Sequence, residues 1–438
     1  MAEANLDSLS SELLMLVVKQ LPDLRSLYSL IRASPSAYRL FGVYAAEIFE
    51  TVLQSGADHE YTCNAIRIVA LLRSDAVPSE INALLRPDDL PPEIHTWERF
   101  DDFYRHMTTE HRFLKPKWPE EPPLRLTSRT SAAVMGSVLV SYARNEGRMI
   151  GCLKFYLARF QPLRPSHLAD EEFSWEGKFR GPDDTDHIGP WELQPEVAPF
   201  PVKDIGPPTW VEEQRVLRAC WRLQVFNDLK AAVMGDRIAG WPKDRLWPFQ
   251  TDERAAEGLL TIGSGDRVKK YRTMEPCILG QQFQLEDELI WSVIDYVKEA
   301  EQVPGAPSSF EIQRDWPTPP RRATFWEIGF YSSGTVFFFH DVVQDNNNIC
   351  LEGWYSPLQH VPREFFRPLG FWIWCEERML GYGLLTDLWD PPPESEGHGF
   401  EKDAVFMAWR SVLNDEQLAE VTRLNDEWRR KVLKEDWS

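Results

Sequence analysis

The stretch from Leu9 to Leu40 constrains the fold most, because its leucines and prolines divide it into three short helices. Each residue of an α-helix advances about 100° around the axis. Seven apolar residues therefore share one broad face of the first helix: Leu9, Leu13, Leu14, Leu16, Val17, Val18 and Leu21. That face spans roughly 200°, about twice what a helix needs to pack once. We expect this helix to contact both its own core and a second surface; alternatively, its own chain covers both sides.

Turn and cap residues predict the boundaries of these helices. Pro22 ends the first helix, and Asp23 is an N-cap residue for the second. Ser34 followed by Pro35 predicts the start of a third helix. The apolar side of the third helix consists of Ala37, Phe41, Tyr44, Ile48 and Val52. Three helices within about 50 residues bury little surface, so this unit requires a partner or a covering domain.

The order and spacing of these residues resemble the F-box family. The resemblance is carried by Leu9-Ser10-Ser11-Glu12-Leu13-Leu14, by Leu21-Pro22-Asp23-Leu24, and by Leu27, Ser34 and Leu40. The family's opening is Leu-Pro-x-Glu-Leu, and Ser10 stands where proline is usual, which removes one contact that the family makes with its adaptor. The variant is similar to the degenerate F-boxes of filamentous-fungal proteins, whose C-terminal domains are uncharacterised.

This resemblance implies docking on the Skp-type adaptor of a cullin–RING (SCF-type) ubiquitin ligase. The adaptor-binding residues that it implies are Leu9, Ser10, Leu13, Leu14, Val17, Leu21, Pro22, Leu24 and Leu27. Such a receptor holds a protein substrate close to a ubiquitin-loaded conjugating enzyme and contributes proximity, not chemistry. The alternative is a non-ligase interaction or scaffold protein whose F-box-like helices pack on its own large domain, and Ser10 keeps that alternative open.

The rest of the sequence predicts a mostly α protein: an F-box-like module over 1–55 and a larger, mainly helical, Pro- and Trp-rich substrate-recognition domain over 56–438. The predicted helices are Cys63 to Leu72, Trp97 to Phe113, Thr209 to Gly235, Glu286 to Glu301, Phe371 to Leu385 and a C-terminal helix, with a further helix start at Val77. Leu124 to Phe160 predicts a buried helix or a helix pair jointed at Gly147.

Two stretches depart from this helical pattern. Residues 162–208 are rich in proline and show no period, which indicates either an irregular arm packed by tryptophans or a partly disordered insertion. Thr335 to Val343 and Ile349 to Tyr355 are aromatic and β-branched around a polar turn, which predicts a small β-hairpin.

The net charge of −20 argues against a nucleic-acid partner and against docking on anionic membranes. Six scattered cysteines without a CxxC pair indicate reduced thiols. With no signal or membrane-spanning pattern, we expect a cytoplasmic or nuclear protein. His106 and His111 are spaced so that their rings diverge by about 140° on a helix, which is wrong for a zinc site. We expect no catalytic residue, no metal and no cofactor.

Overall fold

The computed structural model describes most of the predicted helical segments. The described residues are 6–56, 58, 60–74, 125–169, 195–237, 288–319, 361–385 and 406–435. They are mostly helical, which confirms the predicted fold class. The predicted helices near Val77 and over Trp97 to Phe113, the predicted hairpin, and His106 with His111 lie outside these ranges. The chain divides into two compact units, Met1–Cys152 with Glu213–Pro317 and Leu153–Glu212 with Thr318–Ser438.

The first unit begins with the three predicted short helices. A 3₁₀ turn at Leu6–Ser8 precedes α1 (Ser11–Lys19), α2 (Leu24–Ala33) and α3 (Pro35–Ser55). Both predicted caps are confirmed: Ser26 donates its backbone N–H to Asp23 over 2.6 Å, and Ala37 donates to Ser34 Oγ over 3.2 Å. Both α1 and α2 pack against α3.

Helix α3 departs from its predicted apolar side at Tyr44. The backbone at this residue is not helical, with φ −118° and ψ 26°, so the two halves of α3 meet at a kink. The kink carries Tyr44 into solvent, while Ala45 and Ile48 are buried. The spacing rule that placed Tyr44 inward assumes one unbroken helix, and that assumption fails here.

Helix α4 (Glu60–Arg73) is the most completely enclosed helix that the structure describes, with every residue from Tyr61 to Leu72 buried. Its buried Arg67 forms a bidentate ion pair with Glu50 of α3, with guanidinium nitrogen to carboxylate oxygen distances of 2.8 to 3.1 Å. The backbone N–H of Leu126 also donates to Glu50 over 2.8 Å. Both carboxylate oxygens of Glu50 therefore have hydrogen-bond donors, as a buried carboxylate requires.

Helix α5 (Ala132–Phe160) is one continuous helix, which confirms the single buried helix of the two predicted alternatives and excludes the helix pair jointed at Gly147. Gly147 instead permits close packing: a Cβ built there would lie 1.7 Å from the carbonyl oxygen of Ser309. One turn later, a Cβ at Gly151 would lie 2.0 Å from the Tyr296 hydroxyl. Because these two glycines have no side chains, the segment 288–312 packs directly against the backbone of α5 there.

Two further helical segments complete the first unit. Helix α6 (Trp210–Met234) agrees with the predicted helix Thr209 to Gly235. Residues 288–296 are helical and continue into a π-helical turn at Val297–Glu301. Arg148 of α5 pairs with Glu301 of that turn at 2.8 Å.

The second unit contains the strand pair that the described residues form. Strands β1 (Ser166–Leu168) and β2 (Val197–Pro199) are antiparallel, with His167 opposite Ala198. Both strands lie in the Pro-rich segment that was predicted to be irregular. Three residues are too few to show an alternating pattern in the sequence, so the pairing is decided by tertiary contacts.

The predicted helix from Phe371 to Leu385 is much shorter in the structure. Two 3₁₀ turns, Arg363–Phe365 and Arg367–Leu369, lead to α7 (Glu376–Gly381). Gly370 and Gly383 adopt left-handed backbone angles, with φ 69° and 65°, and so interrupt the helix on both sides. Residues 406–411 are helical, and α8 (Asp415–Glu435), the predicted C-terminal helix, ends the described chain with Val421 fully buried.

Aromatic rings and one buried ion pair form the core of the second unit. Phe160 contacts Trp374 and Tyr382, with ring centroids 5.3 and 4.5 Å apart. Arg378 forms a bidentate ion pair with the buried Glu212: its Nε donates to Oε1 over 2.8 Å and its Nη2 to Oε2 over 3.0 Å. Glu212 also accepts the backbone N–H of Thr209 over 2.8 Å, which completes the capping box that opens α6. Burial alone would raise the pKa of Glu212, but its hydrogen bonds to Arg378 and the guanidinium charge outweigh it and the pKa is lowered.

Candidate docking surface on the N-terminal helices

Helix α1 divides its apolar residues between the core and the solvent. Leu14 and Val18 are each 2% exposed, whereas Leu13 is 53% and Leu16 61% exposed. The broad apolar face of the sequence is therefore two adjoining stripes. One packs on α3, and the other is uncovered by the chain that the structure describes.

The structure separates the nine adaptor-binding residues implied by the F-box resemblance into two groups. Leu14, Leu24 and Leu27 are buried in the core between the helices, and Leu21 is half-buried. The exposed members are Leu9, Ser10, Leu13, Val17 and Pro22. Only the exposed group can touch a partner while the three helices stay folded; the buried leucines hold the helices in place.

Sequence reasoning missed the contribution of α3. Tyr38 and Val43 are 65% and 74% exposed, and Tyr44 is exposed by the kink. A signal for Val43 was present in the sequence, since it stands four residues from Arg39 and four from Glu47. This spacing places Arg39 and Val43 on one side of the first half of α3, and Glu47, just beyond the kink at Tyr44, is exposed as they are.

Two contacts fix the direction of α1 relative to α3. Asp7, just before α1, accepts the Ser34 hydroxyl over 2.6 Å and the backbone N–H of Ser36 over 3.2 Å at the start of α3. Lys19, at the end of α1, pairs with Glu47 in the middle of α3 at 2.5 Å. The two helices therefore run parallel. Leu16 lies one turn before Lys19 and Val43 one turn before Glu47, so these two side chains lie on neighbouring parts of one surface.

We name this surface the N-terminal apolar surface. It consists of Leu6, Leu9, Leu13, Leu16, Val17, Tyr38, Val43 and Tyr44. Twelve large apolar side chains are exposed among the described residues, and these are eight of them. Their exposed fractions sum to at most roughly 800 Å² for one interface, because Tyr38 stands five residues, or about 140° around the helix, from Val43. A standard protein–protein interface buries about that area on each partner, and apolar exposure of this kind on a folded chain marks an interaction site.

Hydrogen bonds favour the charged form of two carboxyl groups at the edge of this surface, Glu12 and Asp7. The Glu12 carboxylate accepts its own backbone N–H and the Ser10 hydroxyl, which lowers the pKa of Glu12. Hydrogen bonds from Ser34 and Ser36 likewise lower the pKa of Asp7. The surface is therefore apolar at its centre and charged at its edge, the usual anatomy of a protein–protein interface.

Other residues of the N-terminal helices contact the rest of the first unit. Arg25 of α2 donates to Glu146 of α5 over 3.2 Å and to the carbonyl oxygen of Ile312 over 3.4 Å. The hydroxyl of Tyr142 donates to Asp58 over 2.8 Å, just beyond α3. These contacts use α2 and the end of α3, and they leave the outer stripe of α1 uncovered by the described residues.

Several carboxyl groups in this buried region resist ionisation. Burial raises the pKa of Glu213 to about 7, against the opposing effects of Arg314 at 3.0 Å and the Trp316 indole N–H at 2.8 Å. Burial likewise raises the pKa of Asp58 and of Glu146. The acidic groups here act as structural hydrogen-bonding partners within the first unit.

The cysteines that the structure describes are buried thiols. Cys63, Cys152, Cys220 and Cys375 are buried, and burial raises the pKa of the Cys220 and Cys375 thiols to about 12, so both stay protonated. Within the described ranges no group of three or more His, Cys, Asp or Glu side chains is placed to hold a metal ion. Nor does any helix in those ranges combine the length and hydrophobicity needed to cross a membrane.

Comparisons with known proteins do not assign a family. No family model, curated protein or solved structure matches this chain. The features that bear on its function are therefore its own residues, above all the N-terminal apolar surface.

Proposed function

We propose that this protein is a non-catalytic substrate receptor that docks on the Skp-type adaptor of a cullin–RING ubiquitin ligase through the N-terminal apolar surface. The single observation that carries the proposal is the stripe Leu13, Leu16 and Val17 on α1, with Leu9 just before it, which the described residues leave in solvent. It coincides with the segment whose sequence resembles an F-box. The remainder of the chain would hold the protein substrate.

The energetics of the stripe suit reversible docking. Fully burying a leucine is worth roughly 1.5–3 kcal/mol. Leu13 and Leu16 retain about half of that gain, because about half of each side chain is still in solvent. Two such leucines, with the neighbouring valine and tyrosines, can form the apolar centre of an interface without any change in the helices beneath them.

A second candidate function is a scaffold in which the three helices serve only to complete the protein's own fold. The contacts from Arg25 to Glu146 and Ile312 favour it, because they show the module packed on its own unit. This packing accounts for α2 and the end of α3. It supplies no role for the exposed stripe of α1, and for this reason we prefer the receptor.

Adaptor binding by surface and core variants of α1 tests the proposal. Leu13→Asp places a charge on the exposed stripe and should weaken binding of the purified Skp-type adaptor by at least about 100-fold, since burying an unpaired charge costs several kcal/mol. The protein should stay folded by circular dichroism. Leu14→Asp is unsuitable for this purpose, because it would put the charge into the core and unfold the module.

Val303→Asp is the matched control, since Val303 is an exposed valine far along the chain from α1. It should bind the adaptor like the natural protein. Equal adaptor affinity for the natural protein and a folded Leu13→Asp variant, or no binding by either, would refute the receptor and leave the scaffold.

A further inference from the structure

The charges that border the N-terminal apolar surface form a self-complementary pattern. On α1, Glu12, Leu16 and Lys19 follow one another at helical spacing. This row is negative at its start, apolar in the middle and positive at its end.

The neighbouring row on α3 has the reverse order. Arg39, Val43 and Glu47 are four residues apart, and run from positive through apolar to negative. Arg39, Glu47 and Glu12 are exposed. Glu12 precedes Lys19 by seven residues and Arg39 precedes Glu47 by eight, so Glu12 and Arg39 lie at similar positions along the two parallel helices. Because α1 and α3 run parallel, each end of the surface carries one charge of each sign.

A surface with this alternation complements a copy of itself. If a second molecule is placed face to face by a two-fold rotation with its helices antiparallel, Glu12 faces Lys19 of the copy and Arg39 faces Glu47. If the rotation keeps the helices parallel, Glu12 faces Arg39 and Lys19 faces Glu47. Both placements put Leu16 and Val43 at the centre and opposite charges around them, as an isologous interface requires.

We propose that the N-terminal apolar surface pairs with the same surface of a second copy of this chain to form a two-fold homodimer. The exposed area of at most roughly 800 Å² per chain is about what a standard interface needs. Leu16 and Val43 form its apolar centre, and the four charged residues fix the register of the two chains.

The dimer also has a consequence for regulation, and only this part depends on the proposed function. The residues covered in the dimer include those that would contact the adaptor. One molecule therefore cannot do both, and adaptor binding must compete with self-association. Receptor activity would then fall as the protein concentration rises.

Sedimentation equilibrium of the full chain tests the dimer. The natural protein should sediment with the mass of two chains, and Leu16→Asp with the mass of one. Val303→Asp, the control with a charge on another exposed valine, should remain dimeric. A natural protein that stays monomeric at every concentration, or a Leu16→Asp variant that stays dimeric, overturns the proposal.

Charge reversal tests the register of the two chains. Glu12→Lys alone should be monomeric, because it faces like charge in either placement. Mixing it with Lys19→Glu should restore a heterodimer if the helices are antiparallel, whereas mixing it with Arg39→Glu should restore one if they are parallel. Lys19→Glu also breaks the Lys19–Glu47 ion pair within its own chain, so each single variant is first checked for folding by circular dichroism. Restoration by neither mixture of folded variants overturns the proposed interface.

The adaptor assay separates this inference from the receptor function. A dimer that dissociates when the adaptor is added supports both. A chain that dimerises but does not bind the adaptor even when it is diluted until it is monomeric supports self-association and refutes the receptor. A monomer that binds the adaptor refutes the homodimer and supports the receptor.

Discussion

Two glycines on α5 should respond in opposite directions to the same substitution. Gly136 and Gly147 both lie inside the helix, where alanine is favoured over glycine by about 1 kcal/mol. A Cβ at Gly136 would have no neighbour within 4 Å. Gly136→Ala should therefore stabilise the protein by about 0.5–1 kcal/mol.

At Gly147 the same methyl group collides with backbone. Its Cβ would lie 1.7 Å from the Ser309 oxygen and 2.7 Å from the Ser309 carbonyl carbon, whereas real Cβ atoms keep at least 3.0 Å. The segment around Ser309 must retreat by about 1.3 Å, and overpacking of this kind costs about 1–3 kcal/mol or more. We expect Gly147→Ala to be destabilised. Because the gain in helix propensity is the same at both sites, the two variants should differ by the overpacking cost, about 1–3 kcal/mol or more.

Urea-induced unfolding followed by circular dichroism measures both free energies of unfolding under one condition. Gly136→Ala is the matched control, because the substitution and the helix are the same. If Gly147→Ala were as stable as Gly136→Ala, the close approach of Ser309 to the helix backbone would be refuted. So would the assignment of Gly147 as a packing residue.

Two further predictions concern buried charges. Arg378→Met should lower the free energy of unfolding in urea by about 3–5 kcal/mol, because it leaves the fully buried Glu212 without its cation. The double variant Arg378→Met with Glu212→Gln should be more stable than Arg378→Met alone. A double variant that is no more stable than Arg378→Met would contradict the role of the ion pair. Glu213 has its pKa raised to about 7, so the folded chain keeps a proton that the unfolded chain releases. Its contribution to stability should be complete below about pH 4.5 and disappear as the pH rises through about 7, by at most about 3 kcal/mol. Glu213→Gln should flatten the fall in stability over that range, and an unchanged pH profile would refute the buried-proton argument.

Local sequence determined where several helices begin. Asp23 and Ser34 cap α2 and α3 as predicted, and Thr209 with Glu212 opens α6 with a capping box. These contacts join residues three positions apart, so their geometry follows from the helix itself and requires no distant partner. The mostly helical class followed from the apolar periodicity in the same way.

Tertiary structure decided which side chains the surface presents. The periodicity of α1 placed Leu13 and Leu14 on one broad face, but only packing on α3 buries Leu14 and leaves Leu13 in solvent. The kink at Tyr44 likewise turned a predicted core residue outward. An amphipathic pattern predicts that a face is apolar, but what covers that face depends on residues far away in the sequence.

The same limit explains the other differences between prediction and structure. Gly147 was interpreted as a joint because glycine weakens helices, yet its partner Ser309 is more than 150 residues away in the sequence. Two other contacts also join segments that are distant in the sequence: the pairing of β1 with β2 and the ion pair between Arg378 and Glu212. The sequence by itself determined most of the described helices and their apolar stripes. The tertiary structure alone decided which stripes are buried, because burial is a property of long-range contacts that no local spacing encodes.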